Sequence, residues 1–162
     1  MKDLVVYYSL EGNTQSIAEK IKEETGADLL RLIPKKAYPS KGFAKFFWGG
    51  KSAVMAEKPE LEEFSVDLAP YDRIILGFPV WASTFAPPIR SFVEQYAPQL
   101  KNKRIITYAC QGGAGAEKAF AKLSQTLGIN KFEMTQVFIN PKSDSNDHTE
   151  QKIADFCNKI KA

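Results

Sequence analysis

The sequence predicts an α/β fold in which a doubly wound, five-stranded parallel sheet has helices on both faces. Five apolar runs alternate with five helical patterns over 162 residues, and this alternation is typical of a parallel sheet. The run from 74 to 78 is apolar without alternation, as in a strand that is buried on both sides. No internal repeat, low-complexity stretch or linker interrupts the pattern, so residues 1–162 are predicted to form a single domain.

The composition is that of an ordinary globular protein, 44% hydrophobic and 25% charged, with a formal net charge of +3. No apolar run approaches the ~20 residues of a membrane-spanning helix, and no signal peptide is expected before the first strand. Cys110 and Cys157 form no CxxC pair, so we expect reduced thiols and a cytoplasmic location. The lysines are scattered, which argues against a nucleic-acid partner.

The first strand is predicted over residues 4–8, and the helix that follows has Ile17, Ala18 and Ile21 on one face. Gly26 is expected to end this helix. The second strand is predicted over residues 28–33, stopped by Pro34.

Residues 39–59 are the least regular part of the chain. Aromatic residues recur here at helical spacing, namely Phe43, Phe46 and Phe47, followed by Trp48. Gly49 and Gly50 are expected to break the helical pattern. Two interpretations stay open: the aromatic side chains form the core face of a crossover helix, or they form a partly exposed flap near the active site or a partner.

The third and fourth strands are predicted over residues 73–78 and 103–109, with Pro79 stopping the former. A helix is predicted to begin at Pro87 and Pro88. The predicted core face of this helix consists of Ile89, Phe92, Val93 and Tyr96.

A further helix is predicted over residues 116–127, ended by Gly128, and a fifth strand over residues 132–139. Asp147 and Glu150 stand at capping-box spacing before the last helix. The inward side chains of these two helices are predicted to be Phe120, Leu123, Leu127, Ile153, Phe156, Cys157 and Ile160.

Three loops, after strands 1, 3 and 4, do not look like plain connectors. In a sheet of strand order 2-1-3-4-5, the chain reverses its direction of winding between strands 1 and 3. Ligands bind outside the carboxyl ends of the strands at such a switch point. The three loops are therefore predicted to meet in one crevice.

The first loop has the features of an anion site. It consists of Ser9, Leu10, Glu11, Gly12, Asn13 and Thr14. A strand, a glycine turn and a helix N-terminus in this order direct backbone N–H groups and the helix dipole at an anion. The loop has no Lys or Arg and a single Gly, so it is neither a Walker loop nor a dinucleotide fingerprint. This neutral, hydroxyl-lined loop suits a phosphate monoester.

The loop after strand 3 is apolar and aromatic, and its site residues are Pro79, Val80, Trp81, Ala82, Ser83, Thr84 and Phe85. Trp81 suits the face of a flat heterocycle, while Ser83 and Thr84 suit its polar edge. The alternative for Trp81 is a buried side chain that fills a corner between a helix and a loop.

The loop after strand 4 supplies small residues that let backbone amides approach a ligand. Its site residues are Cys110, Gln111, Gly112, Gly113 and Gly115. We expect Cys110 to be an inert, half-buried thiol, and the alternative is a redox-active thiol. No catalytic residue and no metal ligand is predicted, since His148, the single histidine, is expected at the surface.

On these loops the chain resembles the flavodoxin family over essentially its whole length. The phosphate loop of that family reads Ser/Thr-x-Thr-Gly-x-Thr; Ser9, Gly12 and Thr14 fit it, whereas Glu11 replaces the middle Thr and brings a carboxylate beside the phosphate. The resemblance implies a flavodoxin-like fold with FMN as the cofactor. It also implies that Trp81 packs on the isoalloxazine and that amides of residues 110–115 contact the ring carbonyls.

The resemblance leaves more than one function open. One is an FMN-binding carrier that passes electrons between partner proteins. A second is an FMN-dependent NAD(P)H:quinone-type reductase that acts on a small acceptor. A third is a non-redox scaffold that binds FMN or another phosphate ligand. Carriers of this family are typically acidic, from which the net charge of +3 departs, and no separate nicotinamide site is recognisable.

Overall fold

The computed structural model describes the backbone of residues 1–162 and the side chains of all residues except 42, 43 and 46. The strands are β1 (Asp3–Tyr7), β2 (Asp28–Arg31), β3 (Arg73–Trp81), β4 (Thr84–Phe85), β5 (Arg104–Gln111) and β6 (Met134–Ile139). The helices are α1 (Asn13–Thr25), α2 (Gly42–Val54), α3 (Pro87–Leu100), α4 (Ala116–Leu127) and α5 (Asp147–Lys161). Of the helices so described, none has the length and apolarity to cross a bilayer.

The parallel strands lie in the order β2-β1-β3-β5-β6 in the described part of the chain. The short strand β4 pairs antiparallel with the end of β3 and lies off this path. Once β4 is left out of the numbering, this is the predicted order 2-1-3-4-5. The predicted fold class is therefore confirmed, with the switch point between β1 and β3.

Successive side chains along β1 point to opposite faces of the sheet and build two separate cores. Val5 and Tyr7 pack in the core that contains the buried residues of α1 and α5. Leu4 and Val6 pack in the core that contains those of α3 and α4. The buried faces of these four helices include every inward residue that periodicity predicts, and both Gly26 and Gly128 end their helices with positive φ.

The third strand does not stop at Pro79, as predicted, but runs on to Trp81. Gly77 pairs with Tyr7, the last residue of β1, and its carbonyl accepts a hydrogen bond from the Tyr8 N–H group at 3.2 Å. Because polar groups alternate sides along a strand, Pro79 directs its missing N–H toward the side on which β1 has already ended. The proline therefore removes no hydrogen bond from the sheet.

The predicted loop after β3 is in fact a tight hairpin, in which Ala82 and Ser83 join β3 to β4. Both residues have positive φ, 49° and 57°, as in the type I′ turns of two-residue hairpins. Such turns usually carry Asn-Gly, so Ala-Ser gives no turn signal in the sequence. A residue with a Cβ atom in this conformation costs about 1–2 kcal/mol.

Several predicted boundaries shift. Strand β5 extends to Gln111, so Cys110 and Gln111 are strand residues and not loop residues. Strand β2 ends at Arg31, and β6 begins only at Met134.

Two helix signals were also misinterpreted. The glycine pair does not break α2, which runs on to Val54. Gly49 is buried, and a Cβ atom there would lie 3.3 Å from the indole ring of Trp81. The close approach of helix and ring accounts for the glycine. Asp147 and Glu150 form no capping box, since the side chain of Asn146 caps α5 by accepting a hydrogen bond from the Thr149 N–H group at 3.0 Å.

Gly77 is required for a different reason. It pairs with Tyr108 of β5, and a Cβ atom at this position would overlap the phenol ring. The fully buried Tyr108 hydroxyl donates a hydrogen bond to the backbone carbonyl of Thr14 at 2.9 Å. The missing side chain thus lets a residue of β5 reach the first turn of α1.

We predict that Gly77→Ala lowers the free energy of unfolding by about 1–3 kcal/mol, because the added methyl group overpacks the Tyr108 ring. Urea unfolding measures this loss. Gly113→Ala is the matched control, since a Cβ atom there meets nothing within 4 Å. Equal midpoints for the two variants would show that the ring moves aside without cost.

Candidate functional site

The carboxyl ends of β1, β3 and β5 border one crevice of about 530 Å³ at the switch point. This volume lies within the range of cofactor pockets. The predicted residues that line it are Ser9, Leu10, Glu11, Asn13, Thr14, Pro79, Val80, Trp81, Ala82, Cys110, Gln111, Gly112 and Gly113. The three predicted loops therefore lie together, and Lys45, Gly50, Ala114 and Asn140 line the crevice in addition to them.

Two predicted site residues lie outside the crevice, on β4. Phe85 is fully buried and packs edge-on against Phe78, with 6.1 Å between ring centroids. The hydroxyl of Thr84 is also buried and accepts a hydrogen bond from Lys122 Nζ at 2.8 Å. The hairpin turns these side chains back into the body of the protein, so neither of them lines the crevice.

Gly12, Ser83 and Gly115 also do not line the crevice but shape its rim. Gly12 and Gly115 precede α1 and α4 with φ of 100° and 110°, which glycine adopts without strain. A Cβ atom on Gly115 would lie 2.8 Å from Ser83 Oγ. The hairpin turn therefore packs directly against the start of α4.

Ser9 sets the shape of the predicted anion loop. Its hydroxyl accepts hydrogen bonds from the N–H groups of Gly12 and Gln15, both at 3.2 Å. Together with the Tyr108 bond to the Thr14 carbonyl, these contacts hold the first turn of α1 in place. The loop is preformed.

The hydroxyl of Thr14 is the exception in this well-bonded loop. The residue is 1% exposed, and its Oγ1 forms no hydrogen bond to a nitrogen or oxygen atom of the described residues; the weak donor and acceptor beside it is the Cys110 thiol. A buried polar group left in this way costs about 1–3 kcal/mol. Because Thr14 also lines the crevice, a ligand oxygen would satisfy its hydroxyl.

The sequence suggested a neutral loop, but in the structure cationic side chains lie beside it. Lys142, which follows β6, donates its backbone N–H to Asn13 Oδ1 at 3.0 Å. Its Nζ lies 3.0 Å from the position that a Cβ atom on Gly12 would take. Arg31 donates from Nη1 to Gln15 at 3.0 Å. These cations come from distant parts of the sequence, so no local motif could have revealed them.

Glu11 forms an ion pair with Lys45 of α2, with 2.6 Å between the carboxylate and Nζ. The expected negative charge beside the anion loop is therefore offset by a neighbouring cation. Such a partly exposed pair contributes at most about 1 kcal/mol to stability. The ion pair holds α2 next to the anion loop.

Trp81 is held by an aromatic cluster. Its ring lies edge-on to Tyr8 and Tyr38, at centroid distances of 5.6 and 5.0 Å. Gly49 of α2 packs against the same indole, yet Trp81 still lines the crevice. The side chain combines both sequence interpretations, because it fills a corner beside α2 and presents a fixed aromatic surface to a ligand.

Neither cysteine has the environment of a reactive thiol. Burial raises the pKa of the Cys110 thiol to about 12, against an opposing interaction with the Thr14 hydroxyl. Burial likewise raises the pKa of Cys157 to about 11 on the inner face of α5. His148 is exposed. Where the structure describes side chains, no group of three or more His, Cys, Asp or Glu residues could hold a metal ion.

The structure describes the side chains of two of the four aromatic residues in α2. Phe47 and Trp48 are exposed, so the core-face interpretation is wrong for them, and they match the exposed flap. The expectation for Phe43 and Phe46 lies outside the described residues.

Fold and crevice together define an α/β protein with a ligand site at the switch point of its sheet and an anion loop at a helix N-terminus. The family model for flavodoxin matches residues 2–159. The chain belongs to the flavodoxin family.

Solved structures share the fold at low sequence identity. A putative flavoprotein from Bacteroides eggerthii aligns with a TM-score of 0.74 and 22% identity, over 99% of this chain and 98% of that chain. A flavoprotein of Lactobacillus acidophilus, solved in complex with FMN, aligns with a TM-score of 0.71 and 22% identity, over 84% and 92%. Oxidised flavodoxin 2 of Bacillus cereus aligns with a TM-score of 0.57 and 18% identity, over 98% and 96%.

We predict that iodoacetamide modifies neither thiol of the native protein at mildly alkaline pH, whereas both react in denaturant. Burial blocks access, and the raised pKa values leave little thiolate. Mass spectrometry of the alkylated protein is the readout, and Cys157→Ser assigns the signals. Labelling of native Cys110 at the unfolded rate would instead support the redox-active interpretation.

Proposed function

We propose that this protein binds FMN in the crevice and carries electrons between partner proteins. The buried Thr14 hydroxyl without a nitrogen or oxygen partner supports this proposal most directly. It lies at the start of α1, where a phosphate group would also meet backbone N–H groups and the positive end of the helix dipole. The FMN complex of the Lactobacillus acidophilus flavoprotein, which shares the fold, is consistent with it.

The phosphate of FMN would be held by residues 9–14, with Lys142 supplying a positive charge beside Gly12. The flat ring system would lie between Trp81 and the segment 110–113, which border the same crevice. Bound FMN supplies one-electron and two-electron redox chemistry. The protein contributes binding, orientation and the exclusion of water.

The residues around the crevice are poorly suited to proton transfer. Among the described residues that line it, Glu11 is the acidic one and no histidine is present. Glu11 is already paired with Lys45, and the raised pKa of Cys110 keeps that thiol protonated. A site that binds and orients without a general acid or base favours a carrier over an enzyme.

The positive rim of the crevice favours a second candidate, an FMN-dependent NAD(P)H:quinone-type reductase. Lys142 and Arg31 lie beside the anion loop, whereas the charge of Lys45 is offset by Glu11. Cations in these positions would attract the phosphates of a nicotinamide cofactor.

Thr14→Val tests the phosphate assignment, because it removes the hydroxyl but keeps the shape. We predict that it raises the stability of the FMN-free protein by about 1 kcal/mol and lowers FMN affinity about tenfold or more. Riboflavin affinity should not change, since riboflavin has no phosphate. Urea unfolding and calorimetric titration measure the two effects.

Thr107→Val is the matched control. Thr107 is fully buried, but its hydroxyl donates a hydrogen bond to the Leu76 carbonyl at 2.9 Å. Its removal should lower stability by about 1 kcal/mol and leave the preference for FMN over riboflavin unchanged. Equal affinity of the wild-type protein for FMN and riboflavin would refute the phosphate site.

NAD(P)H oxidation by the FMN-loaded protein separates the two candidates. We predict slow oxidation whether or not a quinone is added, because a carrier receives electrons from a partner protein. Absorbance at the nicotinamide band follows the reaction, with free FMN as the control. Rapid turnover that depends on the quinone would establish the reductase instead.

A further inference from the structure

Helix α2 exposes several large apolar side chains. Among its described side chains, the buried ones are small, namely Gly49, Ser52 and Ala53. Phe47, Trp48 and Val54 are 48%, 50% and 68% exposed, and Met55 directly after the helix is 65% exposed. The large apolar residues whose side chains the structure describes in this helix therefore face the solvent.

The exposed side chains form a single stripe, which we name the α2 stripe: Phe47, Trp48, Lys51, Val54 and Met55. Their spacing of i, i+1, i+4, i+7 and i+8 places them on one side of the helix. Phe47 and Trp48 pack edge-on at 5.1 Å, and Lys51 Nζ lies 5.2 Å from the Trp48 ring centroid. Of seven large apolar side chains that are exposed in the described part of the chain, four belong to this stripe. Clustering of this kind marks an interaction site, whereas scattered exposed residues do not.

Positive charge is concentrated in the same region. Residues 35–58 contain six of the 22 basic residues and one of the 19 acidic residues, Glu57. The rest of the chain therefore carries 16 basic against 18 acidic residues. Three of the six lysines form ion pairs with acidic residues outside this segment, namely Lys35 with Glu60, Lys45 with Glu11 and Lys58 with Glu94. Lys36, Lys41 and Lys51 therefore supply the positive charge that accompanies the α2 stripe.

We propose that the α2 stripe, with Lys36 and Lys41 near it, docks on an anionic lipid bilayer, with α2 lying in the plane of the interface. A helix with aromatic and aliphatic residues on one side and lysines beside them is typical of such interfacial segments. Each lysine near an anionic surface adds to the attraction. The long lysine side chains can keep their ammonium groups at the headgroups while the apolar side chains insert.

The chemistry of the surface favours lipid over a protein partner. All six basic residues of the segment are Lys and none is Arg, whereas protein interfaces are enriched in Arg and depleted in Lys. The α2 stripe also contains no side-chain oxygen, and its one acceptor is the weak thioether sulfur of Met55. Insertion of apolar side chains into a bilayer and attraction of lysines to its headgroups require no directional hydrogen bonds, which suits this surface.

Docking in this orientation would bring the crevice to the bilayer. Lys45 and Gly50 of α2 line the crevice, and Gly49 packs on Trp81. The crevice is thus separated from the docked surface by one helix, a diameter of about 10 Å. This proximity would give the site access to acceptors dissolved in the membrane, but the docking itself does not require that FMN binds.

Vesicle flotation tests the proposal with the full-length protein, both FMN-free and FMN-loaded. We expect it to float with phosphatidylglycerol-containing vesicles but not with pure phosphatidylcholine vesicles, and to be released by salt. The fluorescence of Trp48 should shift to the blue and be quenched by brominated acyl chains. This second readout needs no substitution in α2; Trp81→Phe removes the other tryptophan signal.

Two variants and one control locate the surface. Phe47→Ser with Trp48→Ser, and separately Lys41→Glu with Lys51→Glu, should each lower the vesicle partition coefficient at least about tenfold. Lys118→Glu with Lys131→Glu changes the net charge equally on exposed positions elsewhere and should change partitioning by no more than about twofold. Circular dichroism checks that each variant is folded.

Equal binding to neutral and anionic vesicles, or no binding at any salt concentration, would overturn the proposal. Self-association that Phe47→Ser with Trp48→Ser abolishes, without vesicle binding, would identify a second copy of the chain as the occupant. Retention on immobilised polyglutamate without vesicle binding would identify an acidic protein. Both of these results also overturn the lipid assignment, and neither bears on FMN affinity.

Discussion

The hydrogen bond from the Tyr108 hydroxyl to the Thr14 carbonyl, made across Gly77, connects the middle of the sheet to the ligand loop. Tyr7, Gly77 and Tyr108 lie side by side on β1, β3 and β5. The Tyr108 ring occupies the space that a side chain at position 77 would fill, and its hydroxyl thereby reaches α1. Burial raises the pKa of Tyr108 well above its usual range, which keeps the hydroxyl a donor at any ordinary pH. This contact between strand and helix, together with the hydrogen bonds of Ser9, fixes the first turn of α1 and therefore the anion loop.

A loop fixed in this way can hold one polar group in an unfavourable state. Ser9 satisfies two N–H groups of the turn, and Lys142 bonds the side chain of Asn13 from the opposite side. The Thr14 hydroxyl lies among these contacts with no nitrogen or oxygen partner in the described residues. In an adaptable loop it would rotate or move to find one. Here the neighbouring contacts hold the loop in place and leave the hydroxyl beside the Cys110 thiol, in a residue that lines the crevice.

Periodicity and alternation were sufficient to predict a parallel sheet and the inward faces of four helices, because burial on two faces imposes these patterns on the sequence. The strand order, and with it the meeting of three loops, followed from the doubly wound fold that the chain resembles. The hairpin after β3 was missed, since Ala82 and Ser83 adopt positive φ without the Gly or Asn that would have signalled it. The cations around the anion loop were missed because Lys142 reaches Asn13 across 129 positions of sequence. Contacts of that kind follow from the assembled fold and have no local signature.

Helix α2 shows why the crevice and the outer surface of this protein are not independent. With two internal glycines the helix has low intrinsic stability, since each costs about 1 kcal/mol relative to Ala. Among its described side chains, three contacts join it to the site: Gly49 against Trp81, Lys45 with Glu11, and Ser52 with the hydroxyl of Tyr38 at 2.8 Å. Tyr38 in turn packs on Trp81. One face of α2 therefore borders the aromatic wall and the anion loop, while its other face carries the α2 stripe.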